Sequence, residues 1–191
     1  MSLIQTAAPA VEPISLAEVK AQLRVDGTAE DAFIASLIVT SRLQIEAALG
    51  LALIAQEWRW TLDDWPRETS MSMPLRPISA IQSVEVKRVA GLTETISSSL
   101  YHLDGSANPA RLVLAATALP KPGVPAEGIA IRFTAGFGST PGDTPAPIRH
   151  ALMLLVAHWF ENRDPVATGA GAMAIPETVA SLLAPYRQVR L

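Results

Sequence analysis

His150, His158 and Glu161 have the side-chain types that zinc prefers. On a helix, H-E-x-x-H places two imidazoles one turn apart. Here the two histidines are eight residues apart. That is about 12 Å along a helix axis, too far to share one ion without bending the helix. We expect interface or capping roles for them, with no metal and no cofactor. Ser97, Ser98, Ser99, His102 and Asp104 have the residue types of a hydrolytic triad. On a strand His102 and Asp104 fall on one face, but no G-x-S-x-G turn presents a serine. The absence of cysteine removes disulfides, thiolate ligands and thiol nucleophiles. Gly136-Phe137-Gly138 lacks the spacing and the lysine of a phosphate loop. Asp63-Asp64, beside Trp65-Pro66, reads as a solvated turn rather than an acid–base pair. Trp58 and Trp60 could stack nucleobases, but their acidic neighbourhood favours packing. We therefore expect no catalytic residue and no enzyme activity.

The formal charge of −3 offers no footprint for nucleic acid or an anionic membrane. With 49% apolar and only 17% charged residues, the 191-residue chain is not a disordered one. The densest apolar run, Ala151 to Ala157, is seven residues long, far short of the ~20 that span a bilayer. No Lys or Arg precedes Lys20, so the start lacks the basic region of a secretory signal. These features predict a soluble cytoplasmic protein without a membrane partner.

Proline marks the elements that would position any site. Ten of the 15 prolines fall between Pro66 and Pro147, and none between Ile14 and Trp65 or between Ile148 and Asp164. Proline breaks helix interiors, so helices are expected in the two proline-free stretches. Ser15 and Glu18 form a capping box, stapled by Ile14 and Val19. The apolar stripe Leu16, Val19, Leu23 then runs to Asp26-Gly27. A second helix is predicted from Thr28 to about Gly50, with Ile34, Leu37, Ile38, Ser41, Ile45 and Ala48 on one face and Arg42 and Glu46 on another. The third helix starts near Thr144 and is apolar around most of its circumference. A short helix from Pro176 through Leu183 follows an uncharged Gly/Ala stretch, 167–174, which reads as a hinge.

Between the helices, Trp58, Trp60 and Leu62 alternate with polar residues, as in a half-buried strand. Further strands are expected near Ile81–Val89, Thr95–Leu103, Ala110–Leu114 and Ile129–Phe133. The fold class is α+β, a small antiparallel helical bundle of three main helices plus a short C-terminal one, with an inserted antiparallel β-rich subdomain. The expected boundaries are 1–56 helical, 57–143 β-rich, 144–164 third helix, and 165–191 linker and C-terminal arm.

Five segments, in this order, resemble the head–tail connector (adaptor) family of long-tailed bacteriophages and gene transfer agents. They are Pro13-Ile14-Ser15-Leu16-Ala17-Glu18-Val19-Lys20 with its long partner helix; Met73-Pro74-Leu75-Arg76-Pro77-Ile78 with Ile81-Gln82-Ser83-Val84; Phe133-Thr134-Ala135-Gly136-Phe137-Gly138 leading to Pro147-Ile148-Arg149-His150-Ala151; Leu155-Val156-Ala157-His158-Trp159-Phe160-Glu161-Asn162-Arg163; and Leu182-Leu183-Ala184-Pro185-Tyr186-Arg187. The resemblance implies a ring of subunits, dodecameric in the particle, beneath the capsid portal at the head–tail junction and assembled in the bacterial cytoplasm. Its partners would be the portal protein, the next tail-side ring protein (a stopper) and other copies of itself, with DNA only passing through the channel.

In that setting the subunit interface falls to Ile34, Leu37, Ile38 and Ile45 of the second helix and Leu152, Leu155 and Trp159 of the third. Portal docking falls to a hinged arm anchored by Leu182, Leu183, Tyr186, Val189 and Leu191, with Arg187 and Arg190 supplying charge. A stopper or tail-terminator ring is the alternative within the same assembly line. The three helices favour the adaptor over those more β-rich proteins. A small enzyme is the alternative outside it.

Overall fold

The computed structural model describes residues 1–115, 119–162 and 175–188. It divides into two compact units, Met1–Ala10 with Ala55–Phe137 and Val11–Ile54 with Gly138–Leu191.

The first unit is β-rich. Its strands are β1 (Ser2–Ala7), β2 (Gln56–Leu62), β3 (Ser70–Ser72), β4 (Ile78–Lys87), β5 (Thr93–Thr95), β6 (Tyr101–Asp104), β7 (Arg111–Leu114) and β8 (Ile129–Ala135). A five-stranded sheet has the order β1-β2-β8-β4-β5, and a three-stranded sheet the order β3-β7-β6. Neighbours in both are antiparallel. Period-two alternation builds the core. Ile129, Ile131, Phe133 and Ala135 are fully buried, while Arg132 between them is exposed. In register across the sheet lie Leu3, Trp60, Ile131 and Val84, a continuous apolar row. Trp60 thus packs in the sheet, and Trp58 is half-buried.

β1 departs from the sequence reading, which placed residues 1–56 in a helical part. Ser2–Ala7 pairs instead with β2, through Leu3↔Trp60 and Ile4↔Arg59. The adjacent Leu3 and Ile4 break the alternation that marks a strand, and the partner lies over 50 residues away. β3 was also unforeseen, because three residues are too few to show a period.

The second unit is helical, with α1 (Leu16–Leu23), α2 (Asp31–Leu49), α3 (Ala146–Glu161) and α4 (Glu177–Leu183). The capping box forms as expected. The Ser15 N–H donates to Glu18 Oε2 at 2.8 Å, and the Glu18 N–H donates to Ser15 Oγ at 3.2 Å. Ile14 and Val19 are each 1% exposed. α2 stops at Gly50, whose φ of 63° is left-handed and free of steric cost without a Cβ. α1 packs on α2 and α3, α2 on α3, and α3 on α4. α3 buries Ile148, Ala151, Leu152, Leu155 and Val156 completely, and Met153, Leu154, Ala157, Trp159 and Phe160 are half-buried. The Phe33 and Phe160 rings lie 6.1 Å apart, joining the outer parts of α2 and α3.

α4 corrects a second expectation. The sequence reading treats residues after Pro176 as tethered rather than embedded. Val179 is fully buried and Leu183 is 6% exposed, and α4 packs on α3. A seven-residue helix cannot stand alone, so packing on α3 is what holds it. The Gly/Ala hinge lies outside the described residues.

Candidate functional site

Several of the residues that could have done chemistry build turns and caps instead. Asp104 accepts from Ser106 Oγ at 2.6 Å and from Arg111 Nη2 at 2.8 Å. The Ser106 bond, then the Arg111 bond, hold its carboxyl down to about 2. Ser99 and His102 line a shallow depression of 230 Å³ that does not include Asp104. The Ser97 hydroxyl meets Ser99 Oγ at 2.9 Å. No triad geometry results.

Asp63 accepts the Glu127 N–H at 3.0 Å and Asp64 that of Trp65 at 2.8 Å, so the acidic pair organises turns. Thr140 and Asp143 form a reciprocal capping box that lowers the Asp143 carboxyl, chiefly through the Thr140 N–H. That carboxylate occupies the space a Cβ at Gly138 would need, so the glycine serves packing. Asn162 caps the end of α3: its Nδ2 donates to the His158 carbonyl at 2.8 Å and lies 3.4 Å from the His158 Nδ1. No cluster of three metal-ligating side chains exists among the described residues.

Two charged assemblies hold the helical unit together. Arg42, 5% exposed, donates from Nε and Nη2 to Glu12 at 2.7 and 3.2 Å and from Nη1 to Glu46 at 2.9 Å. The other oxygen of Glu46 accepts the Leu53 N–H at 2.8 Å. The segment before α1, α2 and the segment after α2 are thereby fastened at one point. Burial disfavours the Arg42 charge, but its bonds to Glu12 and the two carboxylate charges outweigh that, raising its pKa. The sequence reading separated Arg42 and Glu46 from the apolar stripe. Both are nevertheless buried, because mutual pairing removes the cost of enclosing them. Arg149 of α3 donates to the Pro13 carbonyl at 3.1 Å and to Glu18 at 2.5 Å. The Ser15 bonds first, then Arg149, lower the Glu18 carboxyl.

The residues expected at a subunit interface mostly face inward. Ile34, Ile38, Ile45, Leu152 and Leu155 are at most 3% exposed within this chain. Side chains already enclosed in their own core have no surface to offer a neighbour. Leu37 and Trp159 are half-buried. The outward face of α2 is the informative one. Its exposed positions are Ala32, Phe33, Ala35, Ser36, Val39, Thr40, Leu43, Gln44, Ala47 and Ala48, with no charge among them. Leu43 is 50% exposed. Among the described residues α2 is the one helix long and apolar enough to cross a membrane, yet Arg42 and Glu46 lie in its buried half. The missing signal was in the sequence: the positions opposite the core stripe of α2 are uncharged, where a solvated helix carries Lys and Glu.

Of the residues expected to dock a portal, Leu183 is buried against α3, which corrects that assignment. Leu182 and Tyr186 are half-buried and Arg187 is exposed. Val189, Arg190 and Leu191 lie outside the described residues. Leu182 also lines an open groove of 570 Å³ with His150 and Leu154 of α3 and Glu177, Thr178 and Ser181 of α4. The outward face of α2 and the α3–α4 groove are thus the candidate contact surfaces of the helical unit.

Comparison with known proteins identifies the class. No curated protein sequence matches this chain. Solved gene transfer agent structures do. A chain in the neck of the empty particle, computed with C6 symmetry, has a TM-score of 0.87 and 26% identity, over 100% of this chain and 97% of that one. Chains of the virion of the native particle and of the native neck computed with C12 symmetry have TM-scores of 0.84 and 0.81, at the same identity and coverage. The family model for head completion proteins matches residues 12–189, and this chain belongs to that family.

Proposed function

We propose that this protein is an adaptor of the head–tail junction, a structural ring subunit of the neck of a phage-like particle. The observation that carries this reading is similarity to neck chains over the whole of this one. The C12 symmetry of one of those necks supports a dodecamer. An antiparallel helical bundle with an inserted β unit is the scaffold. Ring contacts run through the outward face of α2, centred on Val39 and Leu43 and flanked by Leu37 and Trp159. Portal contacts run through Leu182, Tyr186 and Arg187, extended by Val189, Arg190 and Leu191. The ring continues the DNA channel and receives the next tail-side component. The acidic balance suits a channel that must release DNA. A structural role without catalysis fits side chains occupied in caps and turns.

Particles assembled without this protein test the reading. Filled heads without tails are expected, with tailed particles restored by the full chain supplied in trans. Tailed, transfer-competent particles formed in its absence would overturn it.

A further inference from the structure

The five-stranded sheet has two free edges with unusual composition. β1 ends the sheet on one side. On the other, β5 covers β4 only at residues 85–87, extended by the Ile96 N–H to the Val84 carbonyl. Residues 78–83 of β4 therefore have no strand partner on that side among the described residues. Exposed edges are ordinarily blunted by charge or proline, because their unpaired N–H and C=O groups recruit other strands. β1 reads Ser-Leu-Ile-Gln-Thr-Ala and the free half of β4 reads Ile-Ser-Ala-Ile-Gln-Ser, with no charge and no proline in either. Of the shorter edges, β5 carries Glu94 and β6 carries Asp104, while β3 is only three residues long.

We propose that neighbouring copies join edge to edge, β1 of one pairing antiparallel with residues 78–83 of β4 in the next, so that the sheet continues from subunit to subunit. The proposal rests on the ring reading above and names its contact in the β unit. Strand direction supports it. β1, β2, β8 and β4 alternate, so β1 and β4 run opposite ways. A head-to-tail neighbour keeps those directions and meets the edge as an antiparallel pair, the form that six-residue segments join most readily. Span supports it too: β1 is regular over residues 2–5, and residues 78–83, with two register shifts, cover the length of four β8 residues, Arg132 to Ala135.

The faces also match. Ile4, Arg59, Arg132 and Ser83 are in register on one side of the sheet, so the half-exposed Ile4 would meet the small residues Ala80 and Ser83 of the next copy. A second copy is the occupant because the two edges complement each other. An unrelated strand would cover one edge and leave the other open, whereas a closed ring of copies covers both. Register irregularities at Gln5/Ala7 and within β4 bend these strands. The regular part of β1, residues 2–5, forms the centre of the pairing.

The chain has no cysteine, so engineered thiols report without background. Ile4→Cys combined with Ala80→Cys or with Ser83→Cys, in full-length protein assembled on portal, is expected to give a ladder of covalent oligomers on oxidation. Each single variant, assembled in the same way, should give no covalent oligomer. A disulfide within one chain is excluded, because three strand spacings, about 14 Å, separate β1 from β4. Dimers from Ile4→Cys alone would mean two-fold β1–β1 pairing and would overturn the proposal. No ladder from either double variant, with the ring mass intact, would overturn the edge contact and leave the ring reading standing. Absence of a ring from the unmodified protein would remove both. Hydrogen exchange gives a second reading: amides in 2–5 and 78–83 should slow about tenfold or more on assembly, and unchanged rates would overturn the pairing.

Discussion

Arg42 illustrates how much one side chain can hold. Its guanidinium is shared by Glu12 and Glu46, and Glu46 in turn takes the Leu53 N–H. Arg42→Met should cost about 3–5 kcal/mol, because two carboxylates lose their partner in a buried site. Denaturant unfolding of the isolated protein measures this, and a loss below about 1 kcal/mol would mean that water reaches the site. Glu18 is the acid-sensitive counterpart. Its folded pKa lies below the ordinary 4.5, so its contribution is complete above that value and is lost as pH falls through the folded one. Glu18→Gln keeps a capping acceptor but loses the charge that faces Arg149, and should destabilise by a few tenths to about 1 kcal/mol at neutral pH. The two proteins should converge in acid, and parallel stability curves down to pH 2 would contradict the assignment. The histidines give a simpler test. With His150 exposed and His158 at a helix end, chelator treatment should leave the melting temperature unchanged, and a fall of many degrees would reveal a metal site.

At the scale of elements, α2 and α4 have roles that their sequences do not announce. α2 buries one face and leaves the other uncharged and partly apolar. Val39→Glu and Leu43→Glu should change unfolding free energy by no more than about 0.5 kcal/mol. The same changes should prevent ring formation, as read by native mass on portal. Rings of wild-type mass from both variants would move the subunit contact off this face. α4 is part of the helical unit, so deleting residues 174–191 removes core contacts from α3 as well as any docking residues. Leu183→Ala should cost about 2–5 kcal/mol, measurable by thermal melting. A tail deletion that isolates docking from folding must end beyond α4 and its following turn, which closes at Tyr186.

For the whole molecule, that boundary defines the decisive truncation. A chain ending at Tyr186 should melt with the full-length protein and fail to bind portal. Portal binding of undiminished strength would move docking to the α3–α4 groove or to the β unit. The isolated chain is expected to be a monomer or a loose oligomer that closes into a ring on portal, because its exposed apolar residues are scattered over moderate surfaces. A stable dimer that ignores portal would oppose this.

Local physics was legible without coordinates. The Ser15–Glu18 box, the C-terminal Gly50 of α2 and the alternation of Trp58, Trp60 and Leu62 in β2 each act within a few residues, so spacing alone reveals them. The expectation that the histidines, serines and paired aspartates share no site rests on the same local reading, since no spacing in the sequence brings them together. What tertiary structure decided was which distant partner each surface finds. Ser2 meets Thr61 across 59 residues, and Arg42 meets Glu12 across 30. An apolar stripe announces that a helix buries a face but not whether its own chain or a neighbour covers it, because the hydrophobic effect has no direction. That is why most of the α2 stripe is core and α4 is embedded, and why we propose assembly through the uncharged back of a helix and two sheet edges that have no strand partner among the described residues.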